Sequence, residues 1–116
     1  MTETIDYAAV LARKLAAMFP DPSQREMVAG ELARYGTEAY EREAGRVRVA
    51  ILKVAGASLE KVREWVAIAK RDYRDVLAAA EYPRELVTQT WRLPEAECRA
   101  IREEDARQYR QWIETG

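Results

Sequence analysis

At 116 residues, with 19 Lys and Arg against 20 Asp and Glu, the chain has the size of one domain and no net field that would draw it onto nucleic acid or anionic lipid. The absence of histidine removes Ser-His-Asp and Cys-His nucleophilic pairs, HExxH zinc sites and Glu-x-x-His di-iron sites, and the single cysteine, Cys98, excludes an intramolecular disulfide. Carboxylate chemistry with a divalent metal, lysine or tyrosine chemistry, and binding without catalysis remain open.

Ala, Glu, Leu, Arg and Lys supply about half of the residues, beside 5 Gly and 4 Pro, a balance that favours long helices. The expectation is an all-α single domain over residues 1–116. In chain order, Ile5, Ala8, Leu11, Leu15 and Phe19 recur at helical spacing and predict a first helix over about 4–19, stopped by Pro20. "DPSQ" then offers Asp21 as a cap, Pro22 at the first helical position and Gln24 to complete a capping box, opening a second helix over about 22–35 that ends at Gly36. "RVRVAILKVAG" suits a strand locally, but Tyr40, Ala44, Val47, Ile51 and Val54 hold a helical rhythm over a length no ordinary strand reaches, predicting a helix over about 38–55. Val49 and Leu52 fall off that stripe, so this helix is expected to lie centrally, covered on more than one side.

Ser58 caps a fourth predicted helix, about 58–81, in which Leu59, Val62, Val66, Ala69, Tyr73 and Val76 form one stripe ended by Pro83. "YPRELVTQTWRL" shows no clean period and reads as an irregular connector over about 82–93, with Leu86, Val87, Trp91 and Leu93 available to dock on the helices. Pro94 starts a last helix, about 94–114, carrying Cys98, Ile101, Tyr109 and Trp112 on one line. Cys98 on that stripe reads as a small buried hydrophobe. The result is a bundle of about five helices.

Two aspartates interrupt apolar stripes. Most of "KRDYRD" (70–75) is a solvated face, but Asp72 falls inside the apolar arc of the fourth helix, between Ile68 and Val76 and near Trp65. If buried there, its charge needs a partner from elsewhere: an arginine of another helix, a backbone amide, a metal ion or a second subunit. Asp105 poses the same question in line with Ile101 and Trp112, where "DARQ" also reads as a capping box from Asp105 to Gln108, with a helix break near 104. Both readings of Asp105 stand.

"EAYE" (Glu38, Glu41) and "DYRD" (Asp72, Asp75) superficially resemble the acidic pairs of all-helical nucleotide pyrophosphohydrolases, which hold magnesium between neighbouring helices. Helical phase argues against that scheme, since Glu38, Glu41 and Asp75 point away from the apolar faces. A nucleic-acid reading rests on Arg42, Arg46, Arg48 and Lys53 and is opposed by Glu38, Glu41 and Glu43 at the start of the same predicted helix. "RVRVAILK" followed by "AKRDYRDVLAAAEYP", about residues 46–83, resembles a set of short bacterial all-helical proteins of unassigned activity, and that resemblance implies no function.

No apolar run approaches the roughly 20 residues that span a bilayer, and the acidic start "MTETIDYAAVLARKLAAMF" differs from a basic signal peptide, so a soluble cytoplasmic protein is expected. Its expected function is a small non-enzymatic interaction, adaptor or regulatory module without cofactor. The partner would be a protein or a second copy, contacted through the carboxy-terminal helix or the connector. Asp72, Trp65, Trp91, Asp105 and Trp112 are the candidate structural or interface residues.

Overall fold

The computed structural model describes residues 4–88 and 90–115. Among these, seven α-helices and one short 3-10 turn form a single all-α domain. Helix α1 (Tyr7–Met18) starts where the Asp6 carboxylate accepts from the Ala9 amide at 3.1 Å and stops before Pro20. Helix α2 (Pro22–Leu32) opens at Asp21, whose carboxylate accepts from the Ser23 amide at 3.1 Å. The corner between them is closed by Arg25, which donates to the carbonyls of Phe19 and Pro20 at 2.9 and 3.0 Å.

Helix α3 begins at Ala44 and runs to Ala55, later than the expected start at 38. The reason lies in the loop before it. Gly36 takes φ of +103°, and a Cβ there would stand 2.8 Å from the Ala44 Cβ and 3.0 Å from the Arg48 guanidinium, so the tight return requires glycine, and Glu43 in the left-handed region (φ +52°) separates the loop from the helix that follows. The Arg48 Nε and Nη2 donate to the Tyr35 carbonyl at 3.1 and 2.6 Å, and Nε also reaches the Leu32 carbonyl at 3.2 Å, covering the end of α2. Tyr35 is fully buried, and its hydroxyl donates to the Arg42 carbonyl at 2.7 Å. Tyr40, expected on the core stripe, is 66% exposed in this loop.

As its two-sided apolar pattern predicts, α3 is the central helix: Val47, Val49, Ala50, Ile51 and Leu52 are all fully buried. It packs against α1, α4 and α5. Helix α4 (Leu59–Arg71) starts at Ser58, whose hydroxyl accepts from the Lys61 amide at 3.2 Å. The helix expected to continue to 81 breaks at Asp72, which is extended (φ −157°, ψ 102°) and caps a separate α5 (Tyr73–Glu81). The break leaves Val62, Val66, Ala69, Val76 and Ala80 all in the core, so the apolar rhythm passes through it undisturbed.

The expected connector contains α6 (Pro83–Val87) and a 3-10 turn (Thr90–Arg92); position 89 lies outside the described residues. Helix α7 (Glu95–Glu114) is continuous, without the break near 104 that the capping-box reading of Asp105 required. It lies against α5 and α6, and its carboxy-terminal carbonyls receive cations from α1: Arg13 donates to the Ile113 carbonyl and Lys14 to that of Thr115 at 2.6 Å. Cys98 is half-buried rather than buried, with its Sγ 3.8 Å from the Leu93 carbonyl. No helix among the described residues is long and apolar enough to cross a membrane.

Candidate functional site

Helical phase placed both aspartates within apolar arcs, and the structure buries only Asp105. Asp72 is partly exposed at the α4–α5 junction, where one carboxylate oxygen accepts from the Arg74 amide at 3.0 Å and both oxygens engage the Arg74 guanidinium at 2.9 Å. Those bonds hold its carboxyl below the usual carboxylate range. Asp105 is 1% exposed, and its carboxylate accepts from the first-turn amides of α6, Arg84 at 3.3 Å and Glu85 at 3.0 Å. A buried anion thus sits against the positive end of a short helix, satisfied by backbone donors. The partly buried Lys53 ammonium lies within electrostatic reach: burial lowers its pKa and the Asp105 charge opposes that shift.

Of the four carboxylates in the magnesium reading, Glu41 and Asp72 line one cavity of about 270 Å³ at the α4–α5 junction, together with Lys70, Arg71 and Arg74. Glu38 and Asp75 do not line it. Each of the two present is already committed, and among the described residues no group of three or more Asp, Glu or Cys is placed to hold a metal. Glu41 is the loop staple that sequence reasoning missed. Its Oε1 accepts from the Gly36, Thr37 and Glu38 amides at 2.9, 3.0 and 3.4 Å, while Oε2 meets the Lys70 ammonium at 2.7 Å. Lys70 first, and then the amides, pull its carboxyl down to about 2. The buried Tyr35 phenol responds oppositely, pushed up to about 12 by burial and then by the Glu41 charge.

Because folding depresses the Glu41 pKa, the unfolded chain binds the more protons between the ordinary value near 4.5 and the folded value near 2. The stabilisation is full above about pH 4.5 and is lost as the pH falls towards 2; the depressed Asp72 carboxyl acts in the same direction. Denaturant melts across that range should therefore show stability falling with acid, and Glu41→Gln should flatten the curve. An unchanged slope in the variant would remove Glu41 from this role.

Of the basic residues behind the nucleic-acid reading, Arg46, Arg48 and Lys53 are engaged internally, while Arg42 is exposed in the loop before α3. Arg46 pairs with Glu81 through Nε at 2.8 Å and Nη2 at 2.6 Å, and with Glu43 through Nη1 at 3.0 Å. Arg48 covers the end of α2 and Lys53 is half-buried, so no row of free cations forms along α3. Glu81 is 7% exposed, a buried acid 35 positions from its partner that no local pattern announces.

Trp65 and Trp112 are partly buried and pack against the core. Trp112 stacks on Tyr109 with centroids 6.0 Å apart and carries the Lys14 ammonium 4.2 Å over its ring. Trp91 differs. It is 76% exposed, close in sequence to Leu86 at 59% and Val87 at 81%, so three of the four residues expected to dock on the helices face solvent instead, and only Leu93 is partly buried. The Arg92 guanidinium lies 4.5 Å over the Trp91 ring, and Glu85 on the same segment is held by Arg102 of α7 at 3.1 Å. Neither Arg84 nor Arg92 makes an ion pair among the described residues.

Comparison of the chain with protein-family models, with curated proteins and with solved structures returns no match.

Proposed function

We propose that this protein is a non-enzymatic interaction module that docks a protein partner through the segment carrying Leu86, Val87 and Trp91. The observation that carries the reading is the exposure of these three large apolar side chains on a short helix and turn that α7 holds from beneath through Asp105. Isolated exposed apolar residues are ordinary, but three on one five-residue helix and the turn after it are not isolated, and the tryptophan under an arginine brings together two of the residue types enriched at binding hot spots. The Asp105 anchor fixes the helix before binding, which lowers the ordering cost of association.

The unpaired Arg84 and Arg92 flank the apolar residues, so the complementary surface is an apolar pocket rimmed by carboxylates. A second copy fits less well. In a two-fold dimer through this patch, each arginine would face the same patch and bring like charges together.

Photo-crosslinking from single sites tests this. A benzophenone side chain at position 87 or 91 should capture one and the same protein from a native extract. The same group at Met27 or Tyr40, exposed large side chains elsewhere on the surface, should not. Arg84→Glu combined with Arg92→Glu should suppress the capture. Crosslinks to an identical set of proteins from all four positions, or only to the chain itself, would contradict the proposal.

A further inference from the structure

The cavity of about 270 Å³ at the α4–α5 junction is lined by three cations, Lys70, Arg71 and Arg74, and by two acids, Glu41 and Asp72, so its wall carries one net positive charge. Both acids are bonded within that wall and the loop beside it. Glu41 accepts from three loop amides and from the Lys70 ammonium, and Asp72 accepts from the Arg74 amide and guanidinium. The charge left over is that of Arg71, which is exposed and makes no hydrogen bond or ion pair among the described residues.

A lone cation in the last turn of a helix is ordinary, because it meets the partial negative charge of the helix end. Arg71 does not stand alone. Arg74 commits Nε and Nη2 to Asp72 and keeps Nη1 without a partner among the described residues. Lys70 donates to the Arg34 carbonyl and to Glu41, which leaves one of its three N–H donors unused. One concavity therefore collects three basic side chains with donors to spare, while the local carboxylates are already paired. The end of α4 and the start of α5 abut there with opposite partial charges, so the side chains decide the sign. Tyr40 lines the same cavity and is 66% exposed, a large ring that the core does not use.

We propose that this cavity binds a small aromatic phosphate monoester, its phosphate held by Arg71 together with Arg74 and Lys70 and its ring laid against Tyr40. The cavity lies just below the roughly 300–1,000 Å³ of drug-sized sites, which suits a ligand of that size. A phosphate fits the donors better than a carboxylate, because it carries about two negative charges and presents three oxygens to three cations. This site is separate from the docking segment: none of Leu86, Val87 and Trp91 lines it.

The test uses the full chain and three probes, phenyl phosphate, benzoate and inorganic phosphate, titrated by amide chemical shifts at neutral pH and low salt. Phenyl phosphate should give saturable shifts at residues 40–41 and 69–74 and bind at least about fivefold tighter than either of the others, since benzoate lacks a charge and an oxygen and inorganic phosphate lacks the ring. Arg71→Gln breaks no contact of the fold and should weaken phenyl phosphate by about tenfold or more. Lys61→Gln makes the same change of net charge at an exposed position of α4 outside the cavity, and should leave the affinity within about twofold of the wild type. Tyr40→Ala, also an exposed change, should bring phenyl phosphate close to inorganic phosphate. Absence of saturable binding of phenyl phosphate, benzoate bound as tightly, or a preference for the ring that survives Tyr40→Ala would each overturn the proposal. So would equal weakening by Arg71→Gln and Lys61→Gln, the result expected of diffuse surface charge.

Discussion

Asp105→Ala should destabilise the domain by about 2–4 kcal/mol, because it strands two first-turn amides of α6 that a buried carboxylate now satisfies and leaves the half-buried Lys53 without its nearby anion. Asp105→Asn keeps a carbonyl oxygen for one amide and should lose about half as much. Asp72→Ala should lose clearly less than Asp105→Ala, since it removes an exposed cap and an exposed pair with Arg74. Denaturant melts of the three variants settle the order. A larger loss at Asp72 than at Asp105 would mean that the buried and the capping roles belong the other way round.

The largest expected effect belongs to Arg46. Its bidentate pair with Glu81 closes the contact between α3 and the end of α5, and Glu81 retains 9% of its side-chain exposure. Burial alone would weaken the arginine's charge, but the hydrogen bonds to Glu81 dominate and raise its pKa. Arg46→Ala leaves that carboxylate buried and unpaired and should cost about 3–5 kcal/mol. The paired change Arg46→Met with Glu81→Met removes both charges together. It should recover most of the loss, because the pair's desolvation cost disappears with its attraction. A double variant as unstable as Arg46→Ala alone would show that packing of the arginine stem, rather than the stranded charge, sets the effect.

The stops and starts written in proline and small polar residues were legible. Pro20, Asp21–Pro22, Ser58, Pro83 and Pro94 mark helix boundaries in the chain and in the fold alike. The central position of α3 was legible too, from apolar residues on more than one of its faces. The break at Asp72 was not, because the apolar stripe from Val62 to Val76 keeps its phase across it. "DYRD" and "DARQ" are both acceptable capping sequences, and nothing local says which aspartate caps. The choice is made by tertiary structure. The α6 amides, 20 and 21 positions away, reach Asp105 and hold it within a continuous helix. Glu41 was hidden for a similar reason. Its spacing from Ala44 and Val47 fits a helix, and only the tight turn at Gly36 converts it into a loop staple. The Arg46–Glu81 pair and the cavity shared by Tyr40, Glu41 and the α4–α5 junction join distant segments and leave no periodic trace.

Amide hydrogen exchange at Arg84 and Glu85, compared between the wild type and Asp105→Ala, most directly tests whether α7 holds the proposed docking segment through the buried Asp105 carboxylate. Both amides should be protected in the wild type and should lose protection in Asp105→Ala by at least about tenfold, while amides of α3 buried beneath Val49 and Leu52 change only in step with global stability. Equal exchange at Arg84 and Glu85 in the two proteins, after correction for that global change, would contradict it.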